Sequence, residues 1–272
     1  MESVIMQLEE TAKKVRLDIV KMIGWGKAGH LGGSCSIADV ATVLYKHKMK
    51  HDPKNPKWED RDRLILSKGH AAIIQYALLA ECGYFPKSEL ENLKKLGSIL
   101  QGHPDMHKIP GIEANTGSLG QGLSISCGMA AGGKIDGKSY KVYCVVGDGE
   151  QAEGQIWEAA MAATFYKLDN LVVILDKNKI QAMGAVNERF NTNPHADKWK
   201  AFGWNVIDID GHDMKQIIEA LDKADKVKGQ PTIIIANTIK GKGVSFAENT
   251  AAFHNGIMTE EQYQQACREL MA

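Results

Sequence analysis

The spacing of hydrophobic and polar residues predicts helices in some segments of this chain and buried strands in others. Between residues 2 and 23, apolar side chains recur every three or four positions, which is the spacing of one helical face. A capping box from Thr259 to Gln262 opens the last predicted helix, which runs to residue 271. The other segments with a helical pattern are residues 36–47, 71–80, 87–95, 154–168 and, after a glycine-rich turn, part of 117–133.

Short runs of valine, isoleucine and leucine alternate with these helices and predict buried strands. The runs are Leu64–Leu66, KVYCVVGDG, LVVILDKN, WNVIDID and PTIIIAN. Strands that are apolar along their whole length are typical of a parallel sheet covered on both faces. The expected fold class is therefore α/β, doubly wound, with a mostly parallel sheet and helices on both faces. Because no repeat or linker interrupts the pattern, we expect a single domain over residues 1–272.

Composition narrows the classes of function. The 272-residue chain is 44% apolar and carries 33 basic and 33 acidic residues, so no net charge attracts nucleic acid or an anionic membrane. Its five cysteines are scattered without CxxC spacing, which favours reduced thiols in a cytoplasm. No apolar run has the length of a membrane span, and the amino terminus is unlike a signal sequence. We therefore expect a soluble cytoplasmic protein with a small-molecule site and without nucleic-acid or membrane partners.

Two polar side chains stand where successive predicted strands end. Asp148 lies between Gly147 and Gly149 after one strand, and Asn178 follows the next. A right-handed crossover would bring both strand ends to one edge of the sheet, where doubly wound proteins bind ligands. Carboxylate and amide oxygens suit Mg²⁺, which commonly shares phosphate oxygens with its ligand. Because the two glycines have no side chains, they would leave room for a diphosphate. The unpaired N–H groups of a helix that starts at about residue 151 would then face this diphosphate.

An ordinary Gly-Asp-Gly turn followed by an unrelated asparagine cap would have the same sequence, because turns often contain these residues. However, GDG followed by 28 residues and Asn resembles the thiamine diphosphate motif, and the flanking sequence is similar to transketolase. Three further segments agree with that family in order. They are KAGHLGGSCSIADV with His30, DRLILSKGH with His70, and GHPD followed by NTGSLGQG with His103.

The resemblance implies a cofactor, thiamine diphosphate, and a metal ion, Mg²⁺, for which Ca²⁺ or Mn²⁺ would substitute. The implied metal ligands are Asp148, Asn178 and the main-chain carbonyl of Ile180. Gly117 and Leu119 would meet the aminopyrimidine of the cofactor through backbone groups. The other implied cofactor contacts are His70, Gly147, Asp148, Gly149 and Asn178.

The family also suggests catalytic roles. His30 and His70 would lie beside the diphosphate and the reaction centre, and His103 would be closest to the substrate hydroxyls, where it could relay protons. His254 resembles a fourth family histidine through a looser flanking match. Glu153 matches a glutamate that joins two active sites across a dimer, although it would also serve as a charge near a helix start.

Other residues carry weaker signals. Lys240 and Lys242 would either approach phosphate or lie in a solvated loop. Three residues depart from the family pattern, with Leu31 and Ser118 in place of proline and Lys179 in place of glycine. The histidines without a motif around them, which we expect at the surface, are His47, His51, His107, His195 and His212.

The resemblance implies a transketolase that transfers a two-carbon ketol group from a ketose phosphate to an aldose phosphate. Only about thirty residues follow ANTIKGKG, too few for the pyrimidine-binding domain that the reaction needs. We therefore expect a separate subunit to supply that domain, in an α2β2 heterotetramer. The alternatives are a subunit of a 2-oxoacid dehydrogenase, a deoxyxylulose-phosphate synthase relative, and a non-catalytic module that binds a diphosphate ligand.

Overall fold

The computed structural model describes residues 2–272 and contains a parallel sheet between two layers of helices. The α-helices in this part of the chain are α1 (Glu2–Ile23), α2 (Leu31–Ser36), α3 (Ala38–Val43), α4 (Ala72–Cys82), α5 (Gln121–Ile135), α6 (Gly154–Phe165), α7 (Val186–Arg189), α8 (His195–Ala201), α9 (Met214–Lys226) and α10 (Glu260–Met271). The strands are β1 (Ala28–Gly29), β2 (Arg63–Leu66), β3 (Val142–Gly147), β4 (Leu171–Lys177), β5 (Ile180–Gln181), β6 (Gly184–Ala185), β7 (Asn205–Asp210), β8 (Thr232–Asn237) and β9 (Gly256–Ile257).

The central sheet has five strands in the order β2-β3-β4-β8-β7, and every neighbouring pair is parallel. Each of these strands corresponds to one of the predicted apolar runs. The short pairs β1–β9 and β5–β6 are antiparallel and stand apart from this sheet. The predicted α/β fold with a parallel sheet is therefore confirmed.

Side chains of the sheet alternate between two apolar clusters. In β3, Tyr143 and Val145 join the cluster that contains α1, α3, α4 and α9, whereas Cys144 and Val146 join the cluster that contains α5 and α6. Both faces of the sheet are thus covered by helices. This burial explains why β3 is apolar at consecutive positions instead of alternate ones. None of the helices in residues 2–272 combines the length and the apolar character needed to cross a bilayer.

The helix predicted over residues 36–47 is interrupted. It is divided into the end of α2, the whole of α3 and a π-helical turn over Leu44–Lys48. The Ser36 hydroxyl donates a hydrogen bond to the carbonyl of Gly33, a local contact that competes with regular helical bonding at the junction. The same hydroxyl donates to Asp176 at 2.6 Å, so the interruption turns this serine toward the sheet.

Other segments also differ from the sequence prediction, and neither α7 nor α8 was predicted. Residues 87–95 form only a 3₁₀-helix, Lys87–Asn92, and Lys94 then adopts a φ of 61°, which does not continue a right-handed helix. Helix α9 was not predicted. Asp213 caps it by accepting a hydrogen bond from the backbone N–H of Gln216 at 3.0 Å.

Five histidines without a motif were expected at the surface, and this prediction is wrong for three of them. His195 is only 5% exposed and contacts the side chain of Gln151 through Nδ1. His51 and His212 are half-buried, and both nitrogens of each ring have hydrogen-bond partners. The two that are exposed are His47 and His107.

A buried ion pair ties the first helix to the third. Arg16 of α1 contacts both carboxylate oxygens of Asp39, at 2.9 and 2.5 Å, and His212 contacts the same carboxylate at 2.6 Å. Burial opposes ionisation of Asp39, but the hydrogen bond of His212 and the charge of Arg16 outweigh it and hold the pKa of this carboxyl below its usual value. The pair therefore contributes stability only while Asp39 is ionised.

We expect Asp39→Ala to lower the free energy of unfolding by about 3–5 kcal/mol, because it leaves the Arg16 guanidinium buried without its anionic partner. Urea unfolding at neutral pH measures this difference. The pKa of Asp39 is lower in the folded chain than in the unfolded chain, where it is about 4. Its contribution to the free energy of unfolding should therefore be complete above about pH 4 and be lost as the pH falls through the pKa of the folded chain. In contrast, Lys138→Ala removes a partly exposed surface cation that contacts Glu59 and Asp60, and it should leave the unfolding midpoint almost unchanged. Equal midpoints for Asp39→Ala and the unmutated chain would refute the assignment.

Candidate functional site

A cleft lies at the edge of the sheet where β3 and β4 end. Gly147 of β3 pairs with Asp176 of β4, so the two strand ends are adjacent, as their sequence pattern predicted. The cleft has a volume of about 230 Å³, and we call it the carboxyl-edge cleft. Loops that follow β2, β4 and β8 complete its walls. The predicted site residues can therefore be located against one defined space.

The three predicted metal ligands, Asp148, Asn178 and Ile180, all line the carboxyl-edge cleft. The carboxylate of Asp148 accepts hydrogen bonds from the backbone N–H groups of Gly149, at 2.8 Å, and Lys179, at 2.5 Å. The amide oxygen of Asn178 accepts from the N–H of Ile180 at 3.1 Å. These contacts link the two strand ends and fix both polar side chains.

This donor set fits a hard divalent cation. Asp148, Asn178 and the Ile180 carbonyl supply one anionic and two neutral oxygens, and Mg²⁺ commonly binds through one or two carboxylates and fills its remaining positions with phosphate oxygens or water. The Ile180 carbonyl already accepts a hydrogen bond from Lys240 at 2.6 Å, but a carbonyl oxygen has a second lone pair. Within residues 2–272, no cluster of three or more histidine, cysteine, aspartate or glutamate side chains forms a metal site of its own.

Asp148 is buried, and its charge is only partly compensated. Burial, followed by the negative charge of Asp176, raises the pKa of Asp148 to about 6, and the N–H groups of Lys179 and Gly149 act in the opposite direction. A carboxylate in these surroundings gains from a nearby cation. The electrostatics of the site therefore agree with the proposed metal ligand.

A buried ion pair beneath the cleft was not predicted from the sequence. Lys68, which is 1% exposed, contacts Asp176 at 2.5 Å and donates to the carbonyl of Gly33 at 2.7 Å. Asp176 is fully buried and also accepts from Ser36, Thr238 and, at 2.9 Å, the amide nitrogen of Asn178. This last contact turns the amide oxygen of Asn178 away from Asp176. Burial opposes ionisation of Asp176, but the Lys68 charge outweighs it and lowers the pKa of the carboxyl.

Lys240 lies inside the cleft, whereas Lys242 does not line it. Only 1% of Lys240 is exposed, and its ammonium group contacts the Ile180 carbonyl and Nδ1 of His254, the latter at 2.8 Å. Burial, followed by the charge of Lys68, lowers the pKa of Lys240 to about 8, so most of the group is protonated at neutral pH. Of the two lysines proposed for phosphate contact, only Lys240 is placed to make it.

The four histidines predicted from the family motifs lie together. The ring of His30 is 5.3 Å from His70, 6.1 Å from His103 and 5.5 Å from His254, measured between centroids. The rings of His70 and His254 are 4.9 Å apart. His254, which had the weakest sequence signal, is therefore part of the cluster. Its ring lines the carboxyl-edge cleft together with His70.

These imidazoles are neutral at physiological pH. Burial lowers the pKa of His30 to about 4, of His70 to about 2 and of His254 to about 3, with nearby lysine charges acting in the same direction. Burial and Lys94 also lower the pKa of His103. Because Nδ1 of His254 faces the Lys240 ammonium, it acts as an acceptor and leaves Nε2–H as a donor. The cluster can therefore bind hydroxyl groups as neutral donors and acceptors.

Gly117 and Leu119 belong to the loop that precedes α5. Leu119 lines the cleft, and Gly117 has a φ of 142°, which few residues other than glycine adopt. A β-carbon on Gly117 would stand 2.6 Å from Cδ2 of His103, so glycine is also required for the position of that ring. Ser118 between them is exposed.

Glu150 holds three segments of the site together. Its buried carboxylate accepts hydrogen bonds from the Ser67 hydroxyl at 2.5 Å, the Gly120 N–H at 2.8 Å and the Gly147 N–H at 2.9 Å. It thereby joins the loops after β2 and β3 to the loop before α5. Glu150 was not among the predicted site residues, and its position directly after the GDG sequence was the only signal for it.

The segment after Gly149 differs in detail from the prediction. A helix was expected from about residue 151, but Gly149–Ala152 form a 3₁₀ turn and α6 begins only at Gly154. Glu153, between the two, is exposed at the rim of the cleft. Gly147 and Gly149 both line the cleft, as expected.

The departures from the family pattern have different consequences. Lys179 adopts a φ of 68°, a left-handed conformation that glycine accepts more easily, which explains why glycine is usual there. Leu31 is buried at the start of α2 and contributes to the core. Neither difference removes an oxygen from the proposed metal site.

Comparison with known proteins identifies the class to which this fold and site belong. Residues 7–271 match the family model described as transketolase, thiamine diphosphate binding domain. The chain belongs to this family.

Relatives and solved structures agree with that class. The chain is 46% identical over 265 residues to a 6-deoxy-6-sulfo-D-fructose transketolase subunit of Clostridium sp. (strain MSTE9), a match that covers 97% of this chain and 96% of the relative. It is 44% identical over 263 residues to one of the subunits of the apulose-4-phosphate transketolase of Phocaeicola vulgatus, with coverages of 97% and 93%. The crystal structure of transketolase from Campylobacter jejuni superposes with a TM-score of 0.91 and 36% identity, over 97% of this chain and 42% of that one.

Proposed function

We propose that this chain is the thiamine diphosphate-binding subunit of a two-subunit transketolase and acts on ketose and aldose substrates with an anionic terminal group. The observation that carries the proposal is the convergence of Asp148, Asn178, Lys240, His70 and His254 on one cleft, with the rings of His30 and His103 close by. Two relatives named as transketolase subunits match the chain over 96% and 93% of their own lengths. One is named for a sulfonated sugar and the other for a sugar phosphate, which supports an anionic sugar as substrate.

In this proposal, the carboxyl-edge cleft holds the diphosphate end of the cofactor. Asp148, Asn178 and the carbonyl of Ile180 would hold Mg²⁺, and the ammonium group of Lys240 would face the diphosphate. Bound thiamine diphosphate supplies the carbon nucleophile and the electron sink for cleaving a bond next to a carbonyl. Gly117 and Leu119 would contact its aminopyrimidine through backbone groups.

The chain's own residues would orient the sugar and move its protons. His30, His70 and His254 are neutral and half-buried, so they would donate to or accept from sugar hydroxyls without placing a positive charge beside the cofactor. His103 is exposed and does not line the cleft, which places it toward the entering substrate. We propose these four as the catalytic histidines.

A partner subunit would carry the pyrimidine-binding domain, in an α2β2 assembly. Glu153 stands exposed at the rim of the cleft, where a partner chain could contact it. We also propose that the chain folds as one domain, because both apolar clusters pack on the same sheet in the described residues. The five cysteines are all unpaired, which supports the prediction of a reducing compartment such as the cytoplasm.

The test is to co-purify the chain with its partner and to assay two-carbon transfer from a ketose phosphate in the presence of Mg²⁺ and thiamine diphosphate. A transketolase yields one shortened and one lengthened sugar without releasing carbon dioxide. Release of carbon dioxide from a 2-oxoacid would instead identify a decarboxylating enzyme. Cofactor binding without either reaction would favour a regulatory module.

His103→Ala is expected to slow turnover by about 100-fold while leaving cofactor affinity unchanged, because the ring would touch substrate and not the diphosphate. Steady-state kinetics of the complex and a cofactor titration of the variant separate the two effects. The matched control is His107→Ala, which removes an exposed histidine four residues away. A loss of cofactor binding in His103→Ala, or normal turnover, would contradict the assigned role.

Metal affinity should weaken as the pH falls below about 6. The pKa of Asp148 is raised to about 6 by burial and by Asp176, so below that value a proton competes with the metal for the carboxylate. Calorimetric titration with Mg²⁺ and thiamine diphosphate at pH 5.5 and pH 7.5 measures the effect. An affinity that is equal at both values would show that Asp148 is not a ligand.

A further inference from the structure

A second cavity lies on the other side of Asp148 from the carboxyl-edge cleft. Its volume is about 310 Å³, near the lower end of the range of about 300–1,000 Å³ that is usual for small-molecule sites. Lys177, Lys179 and His195 line it, together with Asn187. None of these four residues lines the carboxyl-edge cleft, and Asp148 is the residue that the two spaces share. We call this space the lysine cavity.

The protonation of His195 can be deduced from its neighbours. The indole N–H of Trp199 donates to the side-chain oxygen of Gln151 at 2.8 Å, so the other end of that amide is its NH₂ group. This NH₂ group donates to Nδ1 of His195 at 2.9 Å. The proton of the neutral ring must therefore be on Nε2. Burial, followed by the charge of Lys177, lowers the pKa of His195 to about 4, which keeps the ring neutral.

Nε2–H of His195 has no hydrogen-bond partner in residues 2–272, although the residue is only 5% exposed. This nitrogen is not among the fully buried side-chain atoms that lack a partner in the described residues, so a water molecule or a ligand can reach it. Since His195 lines the lysine cavity, this donor is available to whatever occupies the space.

The charges around the cavity also lack partners. In the part of the chain that the structure describes, neither Lys177 nor Lys179 forms an ion pair or donates a side-chain hydrogen bond. The only acidic side chain in the wall is Asp148, whose two oxygens already accept from the backbone N–H groups of Gly149 and Lys179. The lysine cavity is thus lined by two cationic side chains, Lys177 and Lys179, and by the uncharged N–H donor of His195.

From this arrangement, we infer that the lysine cavity binds a phosphate-class anion, either free phosphate or the phosphoryl group of a small molecule. A phosphate group carries a charge of about −1.5 to −2 at neutral pH and three strong acceptor oxygens, which match two ammonium groups and one N–H donor. The site goes beyond the proposed cofactor site, because its two lysines and its histidine are not shared with the carboxyl-edge cleft.

The test follows the ring-nitrogen resonances of His195 by NMR while inorganic phosphate is added to the full chain at constant ionic strength. We expect a saturable shift of the Nε2 resonance. Lys177→Gln and Lys179→Gln should each weaken the apparent affinity by about tenfold, since each removes one charge-assisted hydrogen bond. The side chain of Lys179 is exposed, so that variant is expected to fold even if Lys177→Gln does not.

Two controls separate this site from others. Lys200→Gln removes an exposed lysine of the same helix as His195 and should leave the affinity unchanged. Lys240→Gln alters only the carboxyl-edge cleft and should leave the His195 shift unchanged, so the outcome does not depend on cofactor binding. Repeating the titration with glycerol 3-phosphate shows whether free phosphate or a phosphorylated molecule binds more tightly. The inference is overturned if phosphate gives no saturable shift, or if the shift is equal in both cavity-lysine variants and the unmutated chain.

Discussion

Replacing Asp148 with alanine is expected to abolish the magnesium-dependent binding of thiamine diphosphate to this chain. Asp148 is the only anionic oxygen donor of the proposed metal set, and it is buried in the wall of the carboxyl-edge cleft. Changes in residues that merely support metal ligands cost about 10- to 100-fold in affinity, so loss of the ligand itself should exceed that range. Calorimetric titration of the variant with cofactor at saturating Mg²⁺ measures the loss.

The matched control removes an exposed aspartate elsewhere, Asp197→Ala on α8, and should bind the cofactor normally. Circular dichroism and urea unfolding establish that the Asp148 variant is folded before its binding is compared. Because burial raises the pKa of Asp148 to about 6, its ionised form opposes folding, so any stability that the alanine variant gains should be present at neutral pH and be lost as the pH falls from about 6 to about 4. A folded Asp148→Ala chain that binds Mg²⁺ and cofactor with normal affinity would refute the metal assignment.

Replacing Asp176 with alanine should cause the largest loss of stability among the changes considered. It leaves the Lys68 ammonium, which is 1% exposed, with only the Gly33 carbonyl as its contact. Removing one partner of a buried ion pair costs about 3–5 kcal/mol, because an uncompensated charge remains in the interior. The variant also frees the amide of Asn178, so it should bind the cofactor weakly even where it remains folded. Urea unfolding gives the first effect, and cofactor titration gives the second.

A double variant tests the cause of this loss. Lys68→Met with Asp176→Asn removes both charges and keeps an acceptor oxygen for one of the two hydroxyls, that of Ser36 or that of Thr238, so it should regain part of the lost stability. A surface control, Asp222→Ala, breaks one of the two exposed contacts of Lys48 and should cost at most about 1 kcal/mol. If Asp176→Ala unfolds at the same urea concentration as the unmutated chain, the buried pair does not stabilise this fold.

Much of the fold follows from local sequence patterns. The strands β3, β4 and β8 were predicted because both faces of the sheet are buried, which makes each strand apolar at consecutive positions. The helix over residues 36–47 was predicted as continuous, because the spacing of its apolar residues does not show the hydrogen bonds of Ser36 to Gly33 and Asp176 that accompany the break. Helix α9 could have been found, since Asp213 precedes it as a cap and apolar residues recur at helical spacing.

Only some of the site residues could be predicted from the sequence. Asp148 and Asn178 were found because each follows a predicted strand, and the histidines were found through motif resemblance. Lys68 and Asp176 were missed because they are 108 positions apart, and no local pattern shows that an ammonium and a carboxylate meet in the interior. His195 has no motif, and its role as a directed donor depends on a bond to Gln151, 44 positions away. The buried charged residues and the lysine cavity were therefore recognised only from contacts between residues that are distant in sequence.

The most direct test of the account is a crystal structure of the chain with thiamine diphosphate and Mn²⁺, using anomalous scattering to locate the metal. The account predicts one metal peak in the carboxyl-edge cleft, at coordination distance, about 2.0–2.3 Å, from oxygens of Asp148, Asn178 and Ile180, and bonded to the diphosphate. A bound cofactor whose metal lies away from Asp148 and Asn178, or a cleft that stays without cofactor at saturating concentration, would contradict it.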